Sequence, residues 1–240
     1  SQAYLAEELF TPTTSGEYYI AIHATGTSGA EAGGFLLFDV ALEVNIEEGD
    51  GELIILPTEG FVTTVNGNGS VAGGYDSQHF LWTEANGFEY IGGVAPAPGI
   101  GGETGISDDG KTIAASYLNP DTDLIEISMY DVDTSTWTPL GGLGGVDAND
   151  ETSSARDISG DASTIVGLGY TAGDNQPHAV RWTDAEGVID LGSTVPGAFS
   201  RANATNFDGS VIGGWQDKES GFRQGAVWID GVQQVIEMPN

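Results

Sequence analysis

One strand-and-turn unit recurs four times along this chain, and a repeat of that size leaves few folds open. Residues 65–75, 106–117, 158–167 and 205–215 each read as a strand end, an Asp-Gly-like turn and a strand rich in small residues. The last copy is Thr205-Asn206-Phe207-Asp208-Gly209-Ser210-Val211-Ile212-Gly213-Gly214-Trp215. The turn positions Gly69, Gly110, Ala162 and Gly209 lie 41, 52 and 47 residues apart. A second element follows in each unit, an aromatic strand, a turn and a short strand, anchored by Trp82, Tyr130, Trp182 and Trp228 at spacings of 48, 52 and 46. Two anchors with one period define a unit of about four short strands, the size of a propeller blade. Helical periodicity is almost absent, and apolar residues alternate or run in short stretches between Gly, Asn and Asp turns. The expected fold is therefore all-β, a β-propeller-like repeat of four blades between about 61 and 238. Small residues (Ala114, Ala115, Gly167, Gly213) are expected to let inner strands crowd, and the aromatic anchors to fill the wedges between blades.

Within that repeat, Gln176-Pro177-His178-Ala179-Val180-Arg181-Trp182-Thr183 followed by Gly187-Val188-Ile189-Asp190-Leu191-Gly192 resembles the bacterial extracellular HAF repeat. Weaker copies stand at His79-Phe80-Leu81 and Gly225-Ala226-Val227, and the second unit departs, with Tyr130 in place of Trp. The resemblance covers roughly residues 61–236 and implies a propeller-like fold and an extracellular setting, but no activity. The N-terminal stretch differs. Ser15-Gly16-Glu17-Tyr18-Tyr19-Ile20 and the later Phe35-Leu36-Leu37-Phe38-Asp39-Val40 resemble the last strands of the jelly rolls of cleaved adhesins and carbohydrate-binding modules. That implies a β-sandwich remnant over 1–46, ahead of repeats over 47–240. A rival reading makes residues 16–60 a fifth, divergent blade. Glu47-Glu48-Gly49-Asp50-Gly51 marks the boundary, as linker or as solvated turn.

Charge narrows the partners. With 36 Asp and Glu against 6 Lys and Arg, the net charge is −30, and no Lys or Arg precedes Lys111. Binding to nucleic-acid phosphates needs a basic surface, so nucleic acid is excluded as a partner. Attraction to an anionic membrane fails likewise, and no apolar run approaches the ~20 residues of a membrane span. There is no Cys, hence no disulfide framework and no thiolate metal site. The chain opens Ser1-Gln2 without an initiator Met or signal peptide, as expected of a processed protein or an excised piece.

Ca2+ is the cofactor the composition favours. Asp147, Asn149, Asp150 and Glu151 concentrate oxygen donors in one Gly-flanked loop, and Asp121 and Asp123 form a second cluster. Neither follows the EF-hand pattern, and each also reads as a solvated loop of Asx turns. The aligned Asp109, Asp161 and Asp208 read as turn builders. Trp137 and Trp215 fall outside the aromatic anchors and are the candidate sugar-binding platforms. No catalytic residues are assigned. His79 and His178 read as one repeat position making a structural hydrogen bond. The four arginines, Arg156, Arg181, Arg201 and Arg223, sit at unmatched repeat positions in the last 90 residues, which gives no sign of the arginine cluster a sialidase uses. The expected function is a non-catalytic extracellular binding or structural module of a bacterial surface protein, serving adhesion or surface assembly. Its partner would be a protein or glycan at the cell surface, and assembly through open sheet edges would suit an incomplete ring. The alternative is a carbohydrate-active accessory module or a glycan-processing propeller enzyme.

Overall fold

A computed structural model of the protein describes residues 54–67, 69, 71–97 and 101–236. The expectations for residues 1–46 fall outside these. Each repeat unit folds as a four-stranded antiparallel sheet with strands in sequence order. Blade 1 holds β1 (Phe61–Val65), β2 (Val71–Tyr75), β3 (His79–Thr83) and β4 (Gly87–Gly92). Blade 2 holds β5 (Gly105–Ile106), β6 (Thr112–Asn119), β7 (Leu124–Asp131) and β8 (Thr136–Pro139). Blade 3 holds β9 (Ser153–Ile158), β10 (Thr164–Tyr170), β11 (Pro177–Thr183) and β12 (Gly187–Gly192). Blade 4 holds β13 (Ser200–Thr205), β14 (Val211–Asp217), β15 (Arg223–Ile229) and β16 (Val232–Val235). First strands meet first strands from blade to blade, so β1, β5, β9 and β13 form the inner edge. Blade 1 packs on 2, 2 on 3 and 3 on 4; among the described residues no comparable packing returns from blade 4 to blade 1. The described residues form an all-β, propeller-like array of four blades.

The repeated turn explains why strands begin where they do. Asp109 Oδ1 accepts the Lys111 N–H at 3.0 Å and the Ser107 hydroxyl at 2.7 Å. Asp161 repeats this with the Ser163 N–H at 2.9 Å and the Ser159 hydroxyl at 2.7 Å. Asp208 accepts both the N–H and the hydroxyl of Ser210, at 3.1 and 2.6 Å. These donors hold all three carboxyls below the ordinary carboxylate range. The turn-building expectation for these residues matches what the structure shows.

Each joint between blades has its own apolar core. Leu81 and Ile91 of blade 1 meet Ile106, Ile113, Ala115 and Tyr130 of blade 2. Ala114 and Ile127 of blade 2 meet Ala155, Ile158, Ile165, Val180 and Trp182 of blade 3. Val166 and Ala179 of blade 3 meet Ala202, Ile212, Ala226 and Trp228 of blade 4. The anchors Tyr130, Trp182 and Trp228 thus each face the preceding blade. Each is backed across the ladder by a buried isoleucine: Ile113, Ile165 and Ile212. Aromatic–β-branched pairs of this kind add roughly 0.2–1 kcal/mol each to the area they bury.

Bulges complete the joints. A bulge at Ile91 in β4 and another at Leu191 in β12 take these residues out of the ladder, freeing a carbonyl that needs a donor. Trp228 Nε1 donates to the Leu191 carbonyl at 3.1 Å. In blade 2 the anchor is Tyr130, which has no indole N–H, and Trp137 opposite it in β8 donates to the Ile91 carbonyl at 2.7 Å. The inner strands are bulged too, at Thr63, Arg156 and Asn203. Opposite two of these bulges the backbones approach so closely that a Cβ on Gly167 or Gly214 would lie 2.0 or 2.1 Å from a carbonyl oxygen.

Candidate functional site

Among the described residues, blade 4 has one covered face and one free face. Ile212, Gly214 and Gln216 of β14 turn toward blade 3; Ile212 packs in the joint, and Gln216 bonds Ser193 and Thr194 of the connecting loop. By strand alternation Val211, Gly213, Trp215 and Asp217 turn the other way, with Arg223, Gly225, Val227 and Ile229 beside them in β15. Val211, Ile229 and Val232 are 39%, 42% and 64% exposed, and a Cβ on Gly213 would meet nothing within 4 Å. Gly213 therefore does not crowd a neighbouring strand, as the sequence pattern suggested; Gly214, beside it, does.

At the inner end of this face the structure brings Arg201 and Arg223 together, and a third arginine, Arg156 of blade 3, is near enough for its charge to act on Arg201. Arg201 lies across the ladder from Trp215, its guanidinium carbon 5.4 Å from the indole centroid. The guanidinium of Arg223, an exposed residue, lies 4.0 Å from the same centroid. Arg156, on the β9 bulge, pairs with Glu103 at 3.1 Å, and its Nε is buried without a partner. Arg201 Nε donates to Asn203 Oδ1 at 2.8 Å. Burial, then the charges of Arg156 and Arg223, pull the Arg201 pKa down to about 10, so it stays cationic at neutral pH. Sequence reasoning missed this cluster because Arg156 and Arg201 occupy different repeat positions, one residue after Ala155 and one before the equivalent Ala202, and Arg223 comes from another strand.

Trp215 thus holds arginines against its ring, and its own Nε1 is buried without a partner. Trp137 is half-buried, stacked on Tyr117 at 5.0 Å and 8°, and serves the joint between blades 1 and 2. In the loop 147–151, Asp147 Oδ1 accepts the N–H groups of Asn149 and Glu151 at 2.8 and 2.9 Å, and Asn149 Nδ2 donates to Oδ2. Asp150 has a positive φ of 60°, and Glu151 is buried, accepting the Gly101 N–H at 2.6 Å. Burial pushes the Glu151 pKa up. Asp121 donates its N–H to Asn119 Oδ1, and Asp123 closes the same turn with φ 58°. Among the described residues no three His, Asp or Glu side chains are placed to hold one metal ion.

The two histidines are not equivalent. His79 pairs with Gly92, as Ala179 does with Gly192, so His178 stands one residue earlier and on the opposite face. His79 is fully buried, with Nδ1 3.0 Å from Thr104 Oγ1 and Nε2 3.0 Å from the Val94 carbonyl. Burial lowers its pKa to about 4. His178 instead pairs with Asp190 at 2.8 Å, which raises its pKa. A separate cleft of about 640 Å³ is lined by Leu56, Pro57, Thr58, Glu59, Asp76, Ser77 and Tyr90. Asp76 there accepts from the hydroxyls of Tyr90 at 2.6 Å and Thr58 at 2.7 Å and from Ser77. The Tyr90 bond foremost, these hold its pKa far below the ordinary range, which makes it a weak base.

No family model and no curated protein matches the sequence. Solved structures do resemble the fold. TolB from Acinetobacter baumannii is 16% identical with a TM-score of 0.54, over 73% of this chain and 43% of that one. A putative TolB from Agrobacterium tumefaciens is 15% identical with a TM-score of 0.52, over 71% of this chain and 62% of that one. This chain thus spans less than two thirds of either protein. The likeness establishes the propeller-like fold. No helix among the described residues is long and apolar enough to cross a membrane.

Proposed function

We propose that this chain is a non-catalytic binding module of a secreted or cell-surface bacterial protein, serving adhesion or surface assembly by docking a partner protein on the free face of blade 4. The observation that carries this reading is the exposure of that face. Equivalent faces of blades 1, 2 and 3 are sealed by the next blade, whereas Val211, Ile229 and Val232 stand open, and contiguous open apolar surface marks interaction sites. The resemblance to extracellular HAF repeats and the net charge of −30 support the extracellular setting. The test presents the purified chain to a panel of cell-surface proteins and polysaccharides, scoring binding and turnover. Binding of a protein without turnover, lost in Ile229→Glu/Val232→Glu, is expected. Turnover abolished by a single carboxylate substitution overturns the non-catalytic reading, and undiminished binding in the double variant overturns the choice of face.

A further inference from the structure

We infer that Arg201 and Arg223, packed on Trp215, form a carboxylate-binding site on the free face of blade 4 whose ligand is an acidic polypeptide segment. The inference rests on the reading of that face as a docking surface and adds the chemistry of what docks. Six cationic side chains serve the whole chain. Lys111 and Arg181 are neutralised by Asp133 and Glu186, each at 2.6 Å, and Arg156 by Glu103. Among the described residues, Arg201 and Arg223 have no carboxylate within ion-pair distance, although Asp217 lies across the ladder from Arg223. Gathering like charges costs free energy that an incoming anion removes, and the charges of Arg156 and Arg223 both act on Arg201.

The face also departs from the preceding joints where it carries an arginine. Where blade 3 presents Ser154, Val166 and Ala179 to blade 4, all 2% exposed or less, blade 4 carries Arg201, Gly213 and Gly225 at the matching ladder positions. Small and aliphatic residues suit a dry seam, whereas arginine forks suit carboxylates, which they grip through two parallel hydrogen bonds. The cation–π contacts with Trp215 hold the two guanidinium groups without using up those donors. A polypeptide fits better than an acidic sugar. Arg223 already covers the indole that a pyranose would stack on, while exposed aliphatic side chains continue along the same face, Ile236 beside Gly225 and Val211, Ile229 and Val232 toward the other end of the strands.

The probe is a short synthetic peptide alternating Val and Glu, titrated calorimetrically into the full chain at ~0.15 M salt, where distant charges are screened. Controls are a Val–Gln peptide and a galacturonate oligomer. Binding of the Val–Glu peptide is expected, weakened at least tenfold in R201Q/R223Q, partly restored in R201K/R223K and within twofold of the original in K111Q. The single variant R223Q, at an exposed position, guards against misfolding of the double one and is expected to lose part of the affinity. Equal binding of the Val–Gln peptide, binding of the galacturonate alone, no binding, or unchanged affinity in R201Q/R223Q overturns the proposal. If the panel ligand is lost in Ile229→Glu/Val232→Glu but kept in R201Q/R223Q, the docking reading stands and the arginine site falls. If both variants keep it, both fall.

Discussion

His79 makes the fold pH-sensitive in a window that can be computed. Its imidazole is fully buried between blades 1 and 2, with the Nε2–H directed at the Val94 carbonyl and Nδ1 facing the Thr104 hydroxyl. That arrangement satisfies a neutral ring. Protonation would bury a charge, and burial lowers the pKa from an ordinary 6.5 to about 4. A base whose folded pKa lies below its unfolded value leaves the unfolded state binding more protons between the two, so stability rises with pH across that interval. The contribution is complete above 6.5, is lost as pH falls toward 4, and changes no further below. At ~1.4 kcal/mol per pH unit the full window is worth roughly 3 kcal/mol. Carboxylates titrate nearby, so the quantity to measure is a difference: urea unfolding of the original and of His79→Gln at pH 7.5, 6.5, 5.5 and 4.5 and constant ionic strength. The variant is expected to be about 1–2 kcal/mol less stable at pH 7.5, having lost buried bonds. The gap should shrink or reverse by pH 4.5, moving by about 2–3 kcal/mol. Parallel stability curves through the window would refute the reasoning.

Three other perturbations are specific. Gly214→Ala is expected to cost several kcal/mol or prevent folding, because its Cβ would lie 2.1 Å from the Arg201 carbonyl oxygen; Gly213→Ala, beside it on the free face, should change stability by no more than about 0.5 kcal/mol, as read by thermal unfolding of the pair. Trp137→Phe removes the donor to the Ile91 carbonyl and should cost about 1–3 kcal/mol in urea unfolding, from a buried acceptor left unmet. Asp147 is already engaged by the amides of Asn149 and Glu151, so Ca2+ and Mg2+ at equal ionic strength should raise the Tm alike by screening the net charge. A rise specific to Ca2+ would mean that the 147–151 loop rearranges around the ion.

What the sequence made legible was whatever repeats with the blade. The turn aspartates and the aromatic anchors obey one period because every blade must turn at the same place and seal the same wedge. What it hid depends on single-residue offsets. His79 and His178 both precede an aromatic anchor, but by three residues in one case and four in the other. In a strand that difference places the rings on opposite faces, one sealed in a joint and one beside Asp190. Trp137 looked unassigned because it takes over the indole donor that Tyr130 lacks, a substitution between two strands of one blade. Spacing along the chain carries no trace of such an exchange.

The arginines show how function can be written against the repeat. A joint face is constrained from both sides, and blade 3 meets that constraint with buried Ser154, Val166 and Ala179. A face with no blade on it is released from that constraint and is free to take on residues chosen for a ligand. Blade 4 uses the release at its inner end for Arg201 and Arg223, bracing both on one indole, in a chain whose carboxylates outnumber its cations six to one. In such a field a lone surface arginine would be neutralised by the nearest Asp or Glu, as Arg181 is by Glu186. Among the described residues neither of these two guanidinium groups is ion-paired, and both rest on the Trp215 indole. The departure from the repeat, rather than the repeat itself, therefore points to the site.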